Sequence, residues 1–189
     1  MDNKVPDIVE LQRKVALYRN EDAFKSLFLF FYPSLTNFAY SITKSEESAE
    51  EVYSDVMLKL WEMNDSLYGI HNLKSYLYRA IKNASLNYLE KYHKLDYVNL
   101  DSISIEILPL HDNENEILAN EFSRFTRIAI HSLPAKCQLV YKLIKEEGLS
   151  YKDVSEILHI SVNTVEGHMV TALKKLQKAL SIFLQPAKN

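Results

Sequence analysis

The sequence has little of what ends helices and almost nothing that crosslinks a chain. Only three glycines and five prolines occur among its 189 residues. So few breakers of regular structure disfavour a turn-rich β architecture and favour long helices. Cys137 is the sole cysteine, which excludes an internal disulfide and a metal site built from several cysteines. We therefore expect an all-α fold.

Long apolar runs are also missing. The longest one, Leu27 to Tyr32, is far shorter than the roughly 20 residues that span a bilayer. The first 20 residues contain no apolar core of signal-peptide length. These features predict a soluble protein of the cytoplasm, a reducing compartment that suits a chain with one cysteine.

Basic residues are absent from one stretch of the chain. Residues 95–116 carry six Asp or Glu and no Lys or Arg, whereas residues 117–189 carry ten Lys or Arg and six Asp or Glu. The acidic stretch also lacks a helical apolar period. We interpret it as a linker between two small helical domains at 1–94 and 117–189, because structureless loops this long are uncommon inside compact domains. A long surface loop within one domain is the alternative.

The N-terminal domain is predicted to be helical throughout. Apolar residues between 21 and 44 recur at intervals of three or four, which is typical of a buried helical stripe, and we expect Pro33 to break or kink that helix. Ser48–Glu51 fits a capping box that opens the next helix. Residues 63–72 are polar and predict a loop, and a third helix follows over residues 73–93.

The sharpest pattern covers residues 149–176. Ser150 and Asp153 fit a capping box, so a short helix is expected to begin at about Ser150. A turn at 159–160 follows, and Ser161 can cap a second helix through its hydroxyl. The expected inner face of this second helix consists of Val165, Met169, Leu173 and Leu176. Two short helices across such a turn predict a helix-turn-helix.

The outward face of the second helix is polar, small or cationic. In this motif the N-terminal half of the second helix enters the major groove, where Asn suits adenine and Glu suits cytosine. Gly167 destabilises a helix interior by about 1 kcal/mol. Its lack of a side chain is useful where the backbone must approach DNA closely. The candidate contacts to duplex DNA are Lys152, Ser161, Asn163, Thr164, Glu166, Gly167, His168, Thr171, Lys174 and Lys175. A plain helical hairpin with a solvated face is the alternative.

This part of the chain resembles region 4 of extracytoplasmic-function (ECF) sigma factors, in the sigma-70 family. The likeness rests on Leu133-Pro134, Gly148–Lys152, Ile160-Ser161, Thr164–Glu166 and Ala172–Leu176. His159 stands where a turn glycine is common, and His168 and Thr171 stand where arginines are common. The resemblance implies that this domain reads the promoter −35 element. The combination of Glu166 and His168 looks most like sigma factors of the Bacteroidetes.

Residues 49–61 resemble sigma region 2.2. By resemblance, this helix docks on the clamp coiled coil of the polymerase β′ subunit, with Trp61 packed inside. The implied polymerase-binding residues are Glu51, Ser54, Asp55 and Lys59. An ordinary amphipathic core helix is the alternative.

Residues 72–83 resemble regions 2.3 and 2.4, with Tyr76 where the family usually has Trp. The resemblance implies that the loop at 63–72 accepts a −10 base flipped from the non-template strand, which requires stacking and a charged groove. The residues that offer this chemistry are Tyr68, His71, Lys74, Tyr78, Arg79, Lys82 and Asn83. Tyrosines at helical spacing are, however, more often core residues than base platforms.

The resemblance as a whole implies a sigma factor that binds core RNA polymerase, at its β′ clamp and β flap, and directs it to promoter DNA. It also implies regulation by an anti-sigma factor, often membrane-spanning in this family. The charge pattern suggests a free state in which the acidic linker lies against the basic C-terminal domain. We expect no catalysis, no cofactor and no metal, because no phosphate-binding glycine loop occurs and the six histidines lack metal-site spacing. A dimeric regulator that binds palindromic DNA unaided is the alternative.

Overall fold

The chain divides into two compact units, Met1–Glu106 and Ile107–Asn189. The structure, a computed structural model, describes residues 6–93 and 121–183, so the linker predicted at 95–116 lies outside the described residues. Within those two ranges every regular element is helical. The all-α fold is therefore confirmed.

Unit 1 is a bundle built around one long helix. Its elements are α1 (Ile8–Tyr18), α2 (Glu21–Thr43), α3 (Glu46–Glu62), a 3₁₀ helix (Asn64–Gly69) and α4 (Leu73–His93). The predicted stripe of α2 forms the centre of the core, because α2 packs against α1, α3 and α4. The fully buried members of this core include Leu27, Phe31, Leu35, Tyr53, Met57, Leu60, Leu77 and Ile81.

The ends of these helices differ from the sequence expectations in two respects. Of the break or kink expected at Pro33, the break does not occur, because Pro33 lies inside α2, where packing on three neighbouring helices outweighs the loss of one backbone hydrogen bond. α3 is capped by Ser45 and not by Ser48, because the Ser45 hydroxyl accepts the Ser48 backbone N–H at 3.2 Å. Glu46 and Glu47 then occupy the first turn, where negative charge is favourable.

Unit 2 places one long helix against three shorter elements. The long helix is α8 (Val162–Phe183). The shorter elements are α5 (Glu121–His131), α6 (Ala135–Tyr141) with a π-helical turn (Lys142–Glu146), and α7 (Tyr151–Leu158). The inner face of α8 consists of Val165, Met169, Ala172 and Leu176, whereas Leu173 is 46% exposed. Leu173 was thus wrongly assigned to the core. Steps of four, three and four follow the 3.6-residue period better and bring Ala172 inward.

The turns on either side of α7 both use left-handed backbone. Gly148 has φ 69° and is followed by the buried residue Leu149. His159 ends α7 with φ 53°, a conformation that costs an ordinary L-residue roughly 1–2 kcal/mol and costs glycine almost nothing. The glycine at the first turn therefore relieves strain that the histidine at the second turn retains.

We expect opposite effects when these two turn residues are altered. His159→Gly should stabilise unit 2 by about 1 kcal/mol, and Gly148→Ala should destabilise it by a similar amount. Urea unfolding of each variant against the unaltered chain measures both free energies. Stability changes of the same sign in the two variants would contradict this explanation.

Candidate nucleic-acid interface

The helix-turn-helix predicted from sequence is present in unit 2. The Ser150 hydroxyl accepts the Asp153 backbone N–H at 3.0 Å, and the Asp153 carboxylate accepts the Ser150 backbone N–H at 3.1 Å. This reciprocal capping box begins α7. The left-handed residue His159 ends α7, and three residues later α8 begins. The predicted capping box and turn are therefore confirmed.

The start of α8 is held by a pair of hydroxyl groups. Ser161 Oγ accepts the Thr164 backbone N–H at 3.0 Å and lies 2.8 Å from Thr164 Oγ1. Further along the helix, Thr171 Oγ1 donates to the Gly167 carbonyl at 2.9 Å. These three hydroxyls have internal partners, so their first role is local and contact with DNA would be additional.

Nearly all of the predicted duplex-binding residues lie on one exposed surface. His168 alone among them is half-buried. The exposed members are Lys152, Ser161, Asn163, Thr164, Glu166, Gly167, Thr171, Lys174 and Lys175. The inner residues of α8 occupy the opposite side, so this face is open to a partner over the length of the helix.

Gly167 lies in the middle of this face, and nothing inside the protein requires it. A Cβ built at this position would meet no atom within 4 Å beyond its chain neighbours and the backbone of its own helix. A glycine in a helix interior costs about 1 kcal/mol relative to alanine. Since internal packing does not explain that cost, the glycine fits a surface that another molecule approaches closely.

Sequence reasoning missed an apolar part of the same helix. Val162, Val170 and Leu173 are exposed on α8. Apolar side chains in the major groove can contact the methyl group of thymine. Their positions could have been derived from the helical period, because all three fall outside the stripe that contains Val165 and Met169.

His168 differs from its neighbours in its surroundings. Its Nδ1 lies 3.7 Å from the Sγ of Cys137, a buried residue of α6. Burial, reinforced by the charge of Lys136, holds the pKa of His168 below its usual value. The ring is therefore neutral near pH 7, unlike the arginine expected at a phosphate contact.

Two of the residues predicted to bind −10 DNA do not face solvent. Tyr78 is 1% exposed and packs against Phe38 with ring centroids 5.1 Å apart. Lys82 is 2% exposed, and burial lowers the pKa of its ammonium group. Both lie on the side of α4 that packs against α2, which corrects their assignment as DNA contacts. The other predicted members remain accessible: Tyr68, His71, Arg79 and Asn83 are exposed and Lys74 is half-buried.

The segment that precedes α4 is held by a residue of α1. The buried side chain of Gln12 donates through Nε2 to the carbonyls of Leu67 and Ile70, both at 2.8 Å. Leu67 is itself buried, and the Asn72 side chain accepts the Ser75 backbone N–H at the start of α4. Most of the loop predicted at 63–72 is thus a 3₁₀ helix, and Tyr68 within it and His71 after it are exposed.

An open groove lies between the first half of α2 and α3. It encloses about 470 Å³ and is lined by Glu21, Phe24, Phe28, Ser54, Met57, Leu58 and Trp61. Trp61, expected to pack inside, is half-buried and contacts Phe24 with ring centroids 4.9 Å apart. The Arg19 guanidinium covers the Trp61 ring at 3.7 Å and donates a hydrogen bond to the Trp61 carbonyl.

The predicted polymerase-binding residues lie on α3, one of the two helices that form this groove. Glu51, Ser54, Asp55 and Lys59 are all exposed on α3, and Ser54 also lines the groove. Sequence reasoning identified the polar side chains of this surface. It missed Leu58 and the aromatic residues of α2, because a groove between two helices depends on their packing.

Other kinds of site are not apparent in the described part of the chain. Residues 6–93 and 121–183 contain no group of three or more His, Cys, Asp or Glu side chains placed to hold a metal ion. None of the helices in these ranges is both long enough and apolar enough to cross a membrane.

Comparisons with known proteins agree with this arrangement. Residues 27–94 match the family model of Sigma-70 region 2, and residues 129–176 match that of Sigma-70, region 4. The chain is 27% identical over 145 residues to the ECF RNA polymerase sigma-E factor of Haemophilus influenzae, and the match covers 72% of this chain and 76% of that protein. It is 22% identical over 169 residues to the ECF RNA polymerase sigma factor SigW of Bacillus subtilis, covering 85% of this chain and 90% of that protein.

A solved structure has a similar fold over most of the chain. The sigma factor RpoE of Bartonella quintana, determined in complex with the anti-sigma factor NepR, matches with a TM-score of 0.53 and 25% sequence identity. The match covers 86% of this chain and 99% of that one. The chain has region 2 followed by region 4, with one region on each helical unit. The relatives are matched over most of their length. This chain belongs to the ECF group of the sigma-70 family, whose members direct RNA polymerase to promoters.

Proposed function

We propose that this sigma factor reads the −35 element with the exposed face of α8 and the −10 element with unit 1, while unit 1 also docks on core RNA polymerase. The observation that carries the proposal is the capped helix-turn-helix, whose second helix has one buried side and one polar side with a glycine at its centre. The protein would act without catalysis or cofactor, in the cytoplasm where polymerase and chromosome meet.

On α8 we propose two kinds of contact. Asn163, Thr164 and Glu166, near the helix N-terminus, would meet base edges in the major groove. Lys174 and Lys175, two to three turns later, would contact phosphates and set the register, as would Lys152 at the start of α7. The likeness of Glu166 and His168 to sigma factors of the Bacteroidetes stays a prediction.

On unit 1 we propose that Tyr68, His71, Lys74, Arg79 and Asn83 bind the melted −10 strand. Tyr68 offers an exposed ring for base stacking, and the cations of α4 offer charge for the backbone. Because Gln12 fixes the preceding 3₁₀ helix, this surface is formed before DNA arrives.

The groove between α2 and α3 is proposed as the docking surface for the β′ clamp. Its lining is largely apolar, with Glu21 and Ser54 as its polar members. Glu51, Asp55 and Lys59 are exposed on α3, so acidic side chains outnumber basic ones around it. A basic helix with one bulky apolar side chain suits this combination, because charge complementarity steers association and a buried anchor supplies affinity. The β flap and an anti-sigma factor complete the proposed partners, the latter because the Bartonella quintana relative was solved with one.

The domain limits stay part of this proposal. Residues 1–94 would form the polymerase and −10 domain, 95–116 the acidic linker and 117–189 the −35 domain. Two weak DNA sites on one tether gain avidity through effective concentration.

The function is tested by run-off transcription with core polymerase on a promoter library. We expect promoter-specific transcripts from the holoenzyme and no stable binding of duplex promoters by the isolated protein. Tight, sequence-specific duplex binding without core polymerase would instead support a dimeric regulator and overturn the scheme.

Gly167→Ala should affect stability and promoter recognition in opposite directions. The unfolding free energy should rise by about 0.5–1 kcal/mol, because alanine is the better helix former and its methyl group has room beyond the backbone of its own helix. Promoter transcription should fall several-fold, because that methyl group would stand between the helix backbone and DNA. Gln177→Ala, on the exposed C-terminal half of α8, is the control and should gain stability without losing transcription. Undiminished transcription from Gly167→Ala would rule out close approach at this position.

Leu58→Lys should weaken binding to core polymerase by about tenfold or more, because it places a cation where a basic partner is proposed. Leu58 is 55% exposed, and lysine is a good helix former, so the midpoint of thermal unfolding should change little. Leu29→Lys is the matched control, since Leu29 is 60% exposed on α2 and does not line the groove. Titration of fluorescent core polymerase measures both affinities, and equal losses in the two variants would refute the groove as docking surface.

A further inference from the structure

His168 lies at the boundary between the core of unit 2 and the surface proposed to meet DNA. One turn further along α8, Ala172 is fully buried in a cluster with Ala129, Leu133, Cys137 and Leu176. Gly167, the residue immediately before His168, belongs to the exposed face of α8. The half-buried imidazole therefore has one edge toward the cluster and keeps part of its surface accessible.

The contact between Cys137 and His168 joins α6 to the helix that reads DNA. The distance of 3.7 Å between Sγ and Nδ1 lies within the range of a hydrogen bond that involves sulfur. Both groups are neutral near pH 7. Burial raises the pKa of the Cys137 thiol, which the charge of Lys175 only partly offsets. Burial and the charge of Lys136 lower the pKa of His168.

The neutral state of both groups determines which atom carries the proton. A thiol has a weak S–H donor and an even less favourable sulfur acceptor, whereas an unprotonated imidazole nitrogen is a good acceptor. The S–H group of Cys137 should therefore donate to Nδ1 of His168. The ring proton is then on Nε2, which lies on a different edge of the ring from the cysteine.

We propose that Cys137 is a positioning residue for promoter recognition, which holds His168 in one tautomer so that Nε2–H is a fixed donor toward the −35 element. A fixed donor selects an acceptor edge, and in the major groove guanine presents two acceptors, O6 and N7, whereas adenine and thymine present one each and cytosine presents none. His168 would thus favour guanine at one −35 position. This inference rests on the proposed function of α8 and adds a residue from a different helix to its specificity.

Fixing the ring matters because a free histidine on a helix surface samples several rotamers and both tautomers. In the second tautomer Nε2 is an acceptor and would favour cytosine or adenine amino groups instead. Ordering such a side chain at binding also reduces affinity. Because Cys137 is a buried residue of the core, its contact would prevent both the loss of base selectivity and the loss of affinity.

The test uses full-length protein in holoenzyme and a promoter library randomised over the −35 element. The unaltered chain should prefer guanine at one position, and His168→Ala should lose that preference by about fivefold or more. Cys137→Val and Cys137→Ala, which remove the donor, should lose the preference at the same position only. Cys137→Ser should retain it, because a hydroxyl also donates to Nδ1.

A second measurement reads the tautomer directly. Nitrogen-15 chemical shifts of the histidine ring, assigned by the signal that disappears in His168→Ala, should show the proton on Nε2 in the unaltered chain and in Cys137→Ser. Cys137→Ala and Cys137→Val should show a mixture of both tautomers. A merely structural role of Cys137 would change the unfolding temperature without moving these shifts.

The possible results separate the inference from the function on which it rests. If His168→Ala loses the guanine preference while both Cys137→Ala and Cys137→Val keep it, Cys137 does not position the ring and the inference is overturned. The same holds if His168→Ala keeps the preference, or if the unaltered chain shows the proton on Nδ1. Should the unaltered chain give no promoter-specific transcript, the proposed function itself fails, whatever the tautomer.

Discussion

The architecture of unit 2 depends on the burial of one narrow side of α8. Val165, Met169, Ala172 and Leu176 all face inward, and α5, α6 and α7 pack around them. Burial of this stripe, at roughly 25 cal/mol for each Å² of apolar surface, is what orients the helix. The opposite side can therefore carry a glycine, a carboxylate and exposed lysines, because those residues contribute nothing to holding the helix in place. Recognition can change along this face while the fold is preserved.

Unit 1 achieves the same separation with a larger core. α2 is buried on three sides, so it tolerates Pro33 in its interior. α3 shares its apolar side with α2 and leaves an acidic outer surface. The groove between them is lined by Phe24, Phe28 and Trp61, and two of these rings, Phe24 and Trp61, also contact each other. The same contact that stabilises the bundle thus shapes an accessible apolar surface.

The sequence predicted the helices well, because a stripe with a 3.6-residue period leaves few other solutions. It predicted the capping box at Ser150 for a similar reason, since both partners of that box lie within four residues. Errors arose where two nearby residues fitted the same local pattern. Ser45 and Ser48 are both possible N-caps of α3, and Leu173 and Ala172 are neighbours of which only the exact helical period shows which one faces the core. Tyr78 and Lys82 were misassigned because the buried sector of α4 is wide where it packs against two helices. The contact of Cys137 with His168 and the groove at Trp61 required the packing of separate helices, which no local pattern contains.

The interactions of α1 reach well beyond its own turns. Gln12 supplies both hydrogen-bond donors that hold the carbonyls of Leu67 and Ile70, and Arg19, just after the helix, covers Trp61. Yet the family match to region 2 begins only at residue 27. A fragment that begins at residue 27 would keep every residue of the match to region 2. It would lose α1 and the contacts that Gln12 and Arg19 make with the rest of the bundle. We therefore expect the smallest autonomous form of unit 1 to be longer than its family signature, because its first helix supports the surface proposed to bind −10 DNA.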